Sequence, residues 1–366
     1  MYLSKEHEKA VSGEMGPAIQ WALERLCKSG DVQKAERLVK VRSVHIPGWC
    51  EERSSEIWSF LGSIRGKAEM PITANPGGED DPTALSRKSL LESLRPHCAY
   101  TCSCAPYLSG NHPTSGVVAW GGRAACAFAN SVLGARSEME TFETSVASAI
   151  AGVVPERGLH LDENRRVTVA VVVKGIGEAD LPSIGREIAR TMPGEVPLIC
   201  GIRPNFDEAK KLALAVNADG KVPLFRMQGH SKPPFGVEAV ELDLSTFQGR
   251  EAKEAPADLA ILGCPHLSEQ EINHWSKRLS GRATSKAEVW FFTSRLCLDK
   301  CPLSGAVLRS RGKVFVDRCP LSMRRELDGL KVVCDSPSLA DRLRRCGVDA
   351  RSVSHQALVR HVMAEG

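Results

Sequence analysis

The sequence predicts an α/β protein built on parallel, doubly wound sheets, on three observations. First, after about residue 165 seven short apolar runs recur: VTVAVVV, VPLICGI, VPLFRM, DLAILG, EVWFFTS, KVFVD and KVVCD. Each is continuous rather than alternating, the pattern of a strand buried on both faces. Second, helical stretches separate the runs, and before one of them Ser268 and Glu271 stand at the spacing of a capping box. Third, several runs end directly on Gly, Cys, Pro or Asp, as in DLAILGCPH and KVFVDRCP. Ligands of doubly wound sheets bind at such strand ends.

The elements follow in order. Ser4 caps a first helix running to Ala10, and Pro17 opens a second whose apolar stripe is Ile19, Trp21, Ala22, Leu23 and Leu26 and which Gly30 is expected to end. Residues 41–48 (VRSVHIPG) and 70–82 (MPITANPGGEDDP) read as strand ends entering turns, where exposed functional loops sit. From 98 to 137 the chain is rich in small residues, which implies close backbone packing. The expected organisation is an N-terminal α/β part over 1–165, a middle α/β lobe over 166–255 and a C-terminal doubly wound lobe over 256–366, with KEAPAD at 253–258 as linker.

At 366 residues, 42% hydrophobic and 25% charged, the chain is long enough to bury its core without disulfides. It nevertheless carries 13 cysteines, an odd number without a fixed spacing. With no apolar leader at MYLSKEHEKA, that points to a reduced, cytoplasmic protein. A net charge of +4 with scattered basic residues and only 5% aromatics argues against nucleic acid as a partner. No run approaches the ~20 apolar residues of a membrane span.

Three cysteines stand out by position. Cys264 follows the strand DLAILG, Cys319 follows KVFVD, and Cys104 sits in the turn TCSCAPY. Thiolates from separate loops in a reducing compartment favour zinc or an iron–sulfur cluster. Spacing alone leaves the choice open, because neither the Cys297/Cys301 pair nor the Cys102/Cys104 pair has the second pair of a zinc knuckle. Most of Cys27, Cys50, Cys98, Cys126, Cys200, Cys334 and Cys346 read as small core residues.

The segments MYLSKEHEKAVSGEMGPAIQWALE, AERLVKVRSVHIPG, ITANPGGED, TCSCAPYL, VAWGGRAACAFANSVLGARS, GLHLDENR and ILGCPHLSEQE, in this order over nearly the whole chain, resemble the large subunit of the aconitase X family. The resemblance implies aconitase-like lobes around a central cleft and an iron–sulfur cluster, 4Fe-4S in preference to 2Fe-2S. Its ligands would be Cys104, preferred over Cys102 because it directly precedes the small residue and Pro of the motif, together with Cys264 and Cys319. Three thiolates leave one iron with an open position, a Lewis acid that helps a hydroxyl leave while a general base takes the neighbouring proton. The family dehydrates (R)-5-phosphomevalonate to trans-anhydromevalonate 5-phosphate in isoprenoid biosynthesis, the favoured reading, or cis-3-hydroxy-L-proline. A divergent, non-catalytic paralogue that keeps a metal site is the remaining alternative. Catalytic candidates are His45, Asn75, Asn130, Ser131 and Arg136; substrate-binding candidates are His160, Asp162, Asn164 and His266, with Glu163 beside them. The family's small swivelling domain has no counterpart before Gly366, so the expected partner is a separate small subunit, and the expected substrate a small hydroxy acid.

The chain departs from the family pattern at four places. Gly121, Gly122 and Arg123 replace a polar stretch, Glu138 replaces an Asn, Val44 and Pro47 alter the motif around His45, and SPSLAD at 336–341 lacks an expected lysine.

Overall fold

The computed structural model describes residues 1–48, 70–75, 98–174, 181–243, 256–281 and 287–363. It divides into two compact units, Met1–Arg166 and Val167–Gly366.

Unit 1 opens with the helices Lys5–Val11 and Pro17–Val32. It continues through β1 (Leu38–Lys40), β2 (Val44–Ile46), β3 (Ile72–Ala74), β4 (Cys98–Tyr100), β5 (Val117–Trp120), β6 (Arg136–Met139) and β7 (Val153–Pro155). Ser4 caps the first helix as expected, accepting from the His7 N–H at 3.2 Å. Gly30 does not end the second, which runs on to Val32. It instead sits where a Cβ would meet the Met1 sulfur at 2.9 Å and the Pro155 Cβ at 3.2 Å, so its missing side chain serves packing rather than termination. β1 and β7 pair antiparallel, while the other five strands form a parallel sheet in the order β4-β3-β2-β5-β6. The helix Phe142–Ala151 lays Phe142, Val146 and Ala149 against Val44, Ile46, Ile72 and Ala119 of that sheet.

Unit 2 contains β8 (Val169–Lys174), β9 (Pro197–Cys200), β10 (Arg226–Gln228) and β11 (Ala239–Asp243), then β12 (Leu259–Leu267), β13 (Glu288–Thr293), β14 (Lys313–Val316), β15 (Lys331–Cys334) and β16 (Asp349–Ser352). They form two parallel sheets, ordered β10-β9-β8-β11 and β14-β13-β12-β15-β16. The Ser268/Glu271 capping box is present at the helix Glu269–Leu279. Of the predicted run VPLFRM only Arg226 and Met227 join a ladder. Pro223 has no N–H to give one, and Val222, Leu224 and Phe225 are buried as core instead. β11 and β16 went unpredicted because their residues, AVELD and DARS, lack an apolar run. The predicted turn at 76–82 and the first half of the KEAPAD stretch, 253–255, lie outside the described residues. No helix among the described residues is long and apolar enough to cross a membrane.

In all three parallel sheets the first strand in sequence lies inside the sheet, with its successors on one side and the last strands on the other. Each sheet therefore has a switch point, between β2 and β5, between β8 and β11, and between β12 and β15. At the third of these, the register of β12 against β13 shifts between Leu262 and Leu267, and Gly263 adopts φ +104°. A Cβ there would lie 2.1 Å from the Phe292 carbonyl oxygen. Gly263→Ala is accordingly expected to lower the unfolding free energy by about 3 kcal/mol, measured by denaturant unfolding; a loss below ~0.5 kcal/mol would contradict this geometry.

Candidate active site

The equipped loops of unit 1 leave the carboxyl ends of its parallel strands. After β2 comes Pro47-Gly48, after β3 Asn75, after β4 the turn Thr101–Ala105, and after β5 Gly121-Gly122. Ser103 joins three of them: its Oγ accepts from the Gly48 N–H at 3.0 Å and from Asn75 Nδ2 at 2.9 Å. Gly122, at φ +100°, lets the Ser103 carbonyl approach to where a Cβ would stand at 2.4 Å. Asn75 thus touches the turn that carries Cys104. Within that turn Cys102 is buried and Cys104 half-buried.

His45 lies under this edge, fully buried in β2. Asn111 Nδ2 donates to the Val44 carbonyl and to Thr73 Oγ1, both at 2.9 Å, and Thr73 Oγ1 lies 2.9 Å from His45 Nδ1. Among the described residues the buried His45 Nε2 has no hydrogen-bond partner. Burial drives the His45 pKa down to about 3 despite the Thr73 bond.

The two longest signature segments, ANSVLGAR and GLHLDENR, are locked to each other. Asn130, in a π-helical turn over Ala129–Leu133, donates to the Ser137 carbonyl at 2.8 Å and accepts from the Ser137 N–H at 2.9 Å. Arg165 closes the lock, donating to Asn130 Oδ1 at 2.8 Å, the Leu159 carbonyl at 3.0 Å and the Asn130 and Ala135 carbonyls. Arg136 donates to the His160 carbonyl and to Asp162 Oδ1, both at 2.7 Å, and Asn164 Nδ2 to the Gly158 carbonyl at 2.9 Å. His160 Nε2 accepts from the Glu138 N–H at 3.2 Å while Nδ1 lies 3.2 Å from the Pro155 carbonyl. Burial, with the nearby Arg157 cation, holds its pKa down to about 4. Ser131 is half-buried in the same π-helical turn, and Glu163 is exposed.

Sequence reasoning missed the buried pair behind this lock. Arg157 Nη2 reaches Glu140 Oε1 at 2.7 Å, and Glu140 is almost fully buried with Oε2 unpartnered. Burial raises its pKa, opposed by Arg157. Charged residues after a strand read as a turn, and no spacing separates a buried carboxylate from a solvated one.

In unit 2, Cys319 follows β14, but Cys264 does not follow its strand as expected: β12 runs on to Leu267, and Cys264 lies inside it, in the stretch where the register against β13 shifts because Gly263 bends the backbone. His266 ties the two cysteine segments together: its Nε2–H donates to the Arg318 carbonyl at 2.6 Å, one residue before Cys319. The His266 ring is fully buried, and among the described residues its Nδ1 has no partner. Asp317, at φ +59°, accepts from the Arg295 N–H at 2.8 Å and holds the Cys319 turn from the other side. Both cysteines are half-buried, whereas Cys126, Cys200, Cys297, Cys301 and Cys334 are buried. Burial pushes Cys126 and Cys334 up to about 12, keeping them as neutral thiols.

The thiols of Cys104, Cys264 and Cys319 have the donor chemistry that an iron–sulfur cluster takes. Cys104 and Cys319 are half-buried on loops that follow strands, Cys264 is half-buried at the irregular stretch of β12, none is in a disulfide, and among the described residues the buried Nδ1 of His266, two residues from Cys264, has no hydrogen-bond partner. Among the described residues, no three His, Cys, Asp or Glu side chains lie together as a metal-binding group.

Each of the four departures from the family pattern has a packed or paired counterpart beside it. A Cβ at Gly121 would stand 2.3 Å from the ring of Pro47, so these two departures suit each other. Glu138 Oε1 accepts from the Leu159 N–H at 2.5 Å, in space that a Cβ at Gly158 would take. Beside SPSLAD, Lys211 of the helix Phe206–Val216 donates to Asp335 Oδ2 at 2.7 Å.

Comparison with known proteins gives consistent results. The family model of the aconitase X first domain matches residues 1–163, and that of the third domain matches residues 257–364. The phosphomevalonate dehydratase large subunit of Thermococcus kodakarensis is 31% identical over 344 residues, covering 87% of this chain and 89% of the relative. That of Methanothermobacter thermautotrophicus is 29% identical and covers 96% of each. The cis-3-hydroxy-L-proline dehydratase of Pseudomonas aeruginosa is 28% identical over 74% of this chain but only 53% of its own length. The crystal structure of holo Thermococcus kodakaraensis aconitase X superposes with a TM-score of 0.84 at 28% identity, covering 99% of this chain and 100% of that one.

Two outcomes are expected from unit 1. His45 and His160 are held neutral, with pKa values of about 3 and 4 against 6.5 for an unperturbed ring. Unfolding therefore takes up protons below that value: the stability they contribute is complete above about pH 6.5 and is lost as pH falls. Between pH 6 and 4.5 the slope should reach about 2.7 kcal/mol per pH unit for two rings, measured by urea unfolding; a flat profile would contradict the burial. Asn130→Ala, which leaves the Ser137 N–H and an Arg165 donor without their acceptor, should cost about 3 kcal/mol, read by the same method.

Proposed function

The chain belongs to the aconitase X family, and from that premise we propose that it is the large, catalytic subunit of an iron–sulfur-dependent hydro-lyase that dehydrates (R)-5-phosphomevalonate to trans-anhydromevalonate 5-phosphate in the mevalonate route to isoprenoids. The observation that carries this reading is the match to relatives named phosphomevalonate dehydratase large subunit over up to 96% of both chains. Relatives named cis-3-hydroxy-L-proline dehydratase are matched over only 53–54% of their length, which makes that reaction the second reading.

In this proposal Cys104, Cys264 and Cys319 would hold the cluster. Bound there, it supplies an iron with an open position, a Lewis acid for the substrate hydroxyl. The remaining chemistry belongs to the chain. Asn75 positions the Cys104 turn through Ser103. His266 couples the other two cysteine segments by one hydrogen bond. Asn130, Arg136, His160, Asp162 and Asn164, first read as catalytic or substrate-binding, have polar atoms engaged with one another, with neighbouring backbone or with Arg165. We assign them to holding the β6 edge. Ser131, half-buried in the π-helical turn, is kept as a catalytic candidate in this proposal. His45, neutral near pH 7, would act through an uncharged ring. A non-catalytic paralogue is disfavoured because the four departures are packed or paired against partners rather than left as gaps. The small swivelling-domain subunit is the proposed partner and the cytoplasm the proposed compartment.

The test is anaerobic reconstitution with iron and sulfide, addition of a small aconitase X subunit, and assay of water loss from both substrates. Bound iron, a visible cluster spectrum and turnover of phosphomevalonate are expected, with iron lost in each of Cys104→Ala, Cys264→Ala and Cys319→Ala. Full iron content in any of the three variants overturns the ligand assignment. An intact cluster without turnover of either substrate overturns the reaction.

A further inference from the structure

We propose that Lys210 and Lys211, neighbours on the helix Phe206–Val216, are positioning residues that together set the crevice at the β12/β15 switch point and so fix where the Cys264 side chain stands. The crevice is lined by Lys211, Leu214, Cys264, Asp335, Ser336 and Ser338. One wall is the carboxyl-terminal stretch of β12, the other the turn leaving β15.

Lys210 holds the first wall. It is fully buried, a costly place for an ammonium unless it is paired and hydrogen-bonded. Here it donates to the His266 carbonyl at 2.7 Å and to Glu271 Oε2, and Asp207 Oδ1 lies 3.3 Å away as a second ion-pair partner. The two carboxylates are themselves tied to the same stretch. Ser268 Oγ donates to Asp207 Oδ2 at 2.8 Å, and the Ser268 N–H to Glu271 Oε2 at 3.0 Å. The segment from Cys264 to Ser268 is thus pinned at His266 and Ser268 around one buried cation.

Lys211 holds the second wall, donating to Asp335 Oδ2 at 2.7 Å directly after β15, with Glu271 Oε1 at 3.7 Å. Consecutive residues on a helix point about 100° apart, so adjacent lysines reach opposite walls while Glu271 lies against both. The cation missing from SPSLAD arrives from another element. Two lysines facing Asp207, Glu271 and Asp335 leave one net negative charge, which favours holding loops over drawing in an anionic substrate. The proposal rests on the reading of Cys264 as a cluster ligand only for its chemical consequence.

The experiment uses the full-length chain, first without cluster. Lys210→Met should raise the rate of Cys264 alkylation by iodoacetamide at least tenfold, read by peptide mass spectrometry, and speed hydrogen exchange across 262–268. Lys211→Met should speed exchange across 334–338, and Lys211→Arg, which can still pair with Asp335, should restore it. After reconstitution with iron and sulfide, Lys210→Met should alter the visible spectrum of the cluster. If Lys210→Met fails to fold, Asp207→Asn, which removes one of the two carboxylate charges beside Lys210, should give an intermediate rise in labelling. Unchanged labelling and exchange in folded Lys210→Met, or in Asp207→Asn, together with unchanged exchange in Lys211→Met, would overturn the clamp. Retention of iron by Cys264→Ala with these responses intact would remove the ligand assignment and leave the clamp standing.

Discussion

A parallel sheet that starts from an inner strand must build outward on one side and then return to fill the other. The loops that leave the two strands flanking the return diverge, and the gap between them is the one place along the carboxyl edge that no crossover covers. This chain applies the constraint three times. In unit 1 the gap lies where Pro47 meets Gly121; in the last sheet of unit 2 it lies where Cys264 faces Ser336. The residues with chemical character collect at these edges because strand ends converge there while the strands themselves bury Val, Ile, Phe and Trp.

The loops at these gaps are held by unusually specific means. Ser103 gathers three strand ends through a single hydroxyl, and His266 spans two cysteine segments through a single N–H. Neither depends on burying apolar area, since polar loops have little to bury. They depend on satisfied donors and acceptors in a low dielectric, where one missing partner is expensive. The same reasoning accounts for three of the departures. Glycine at 121 and proline at 47 form one packing solution, and Glu138 occupies space left by Gly158. A change that looks like loss in a one-dimensional motif is, in these cases, half of a pair whose other half lies elsewhere in the sequence.

That is also the boundary of what could be read beforehand. Continuous apolar runs located β8, β9, β12, β13, β14 and β15, because burial on both faces leaves a mark in composition. β11 and β16 carry polar residues and left none. The second helix was ended too early because a glycine inside a helix looks like a stop unless the Met1 and Pro155 atoms beside it are known. At the site, the positions of Cys104 and Cys319 beyond strand ends were legible, that of Cys264 was not, because β12 continues past Gly263 to Leu267, and Cys104 differs from Cys102 in exposure as well as in sequence context. What stayed hidden were buried charges. Lys210 and Glu140 sit among residues that read as ordinary solvated faces, and only the fold reveals that a carbonyl or a guanidinium awaits each of them.

The lock between ANSVLGAR and GLHLDENR bears on how such proteins are recognised. Asn130 and Arg165 stitch a π-helical turn to the segment after β7, through contacts made entirely within unit 1. The stretches that announce the family most loudly are therefore joinery. A copy stripped of its thiols would still need them in order to fold, and a search keyed to them would find the silent copy as readily as the working one. Telling the two apart falls to short, unassuming signals: a cysteine after a strand, a histidine two residues on, and two adjacent lysines on a helix in the middle of the chain.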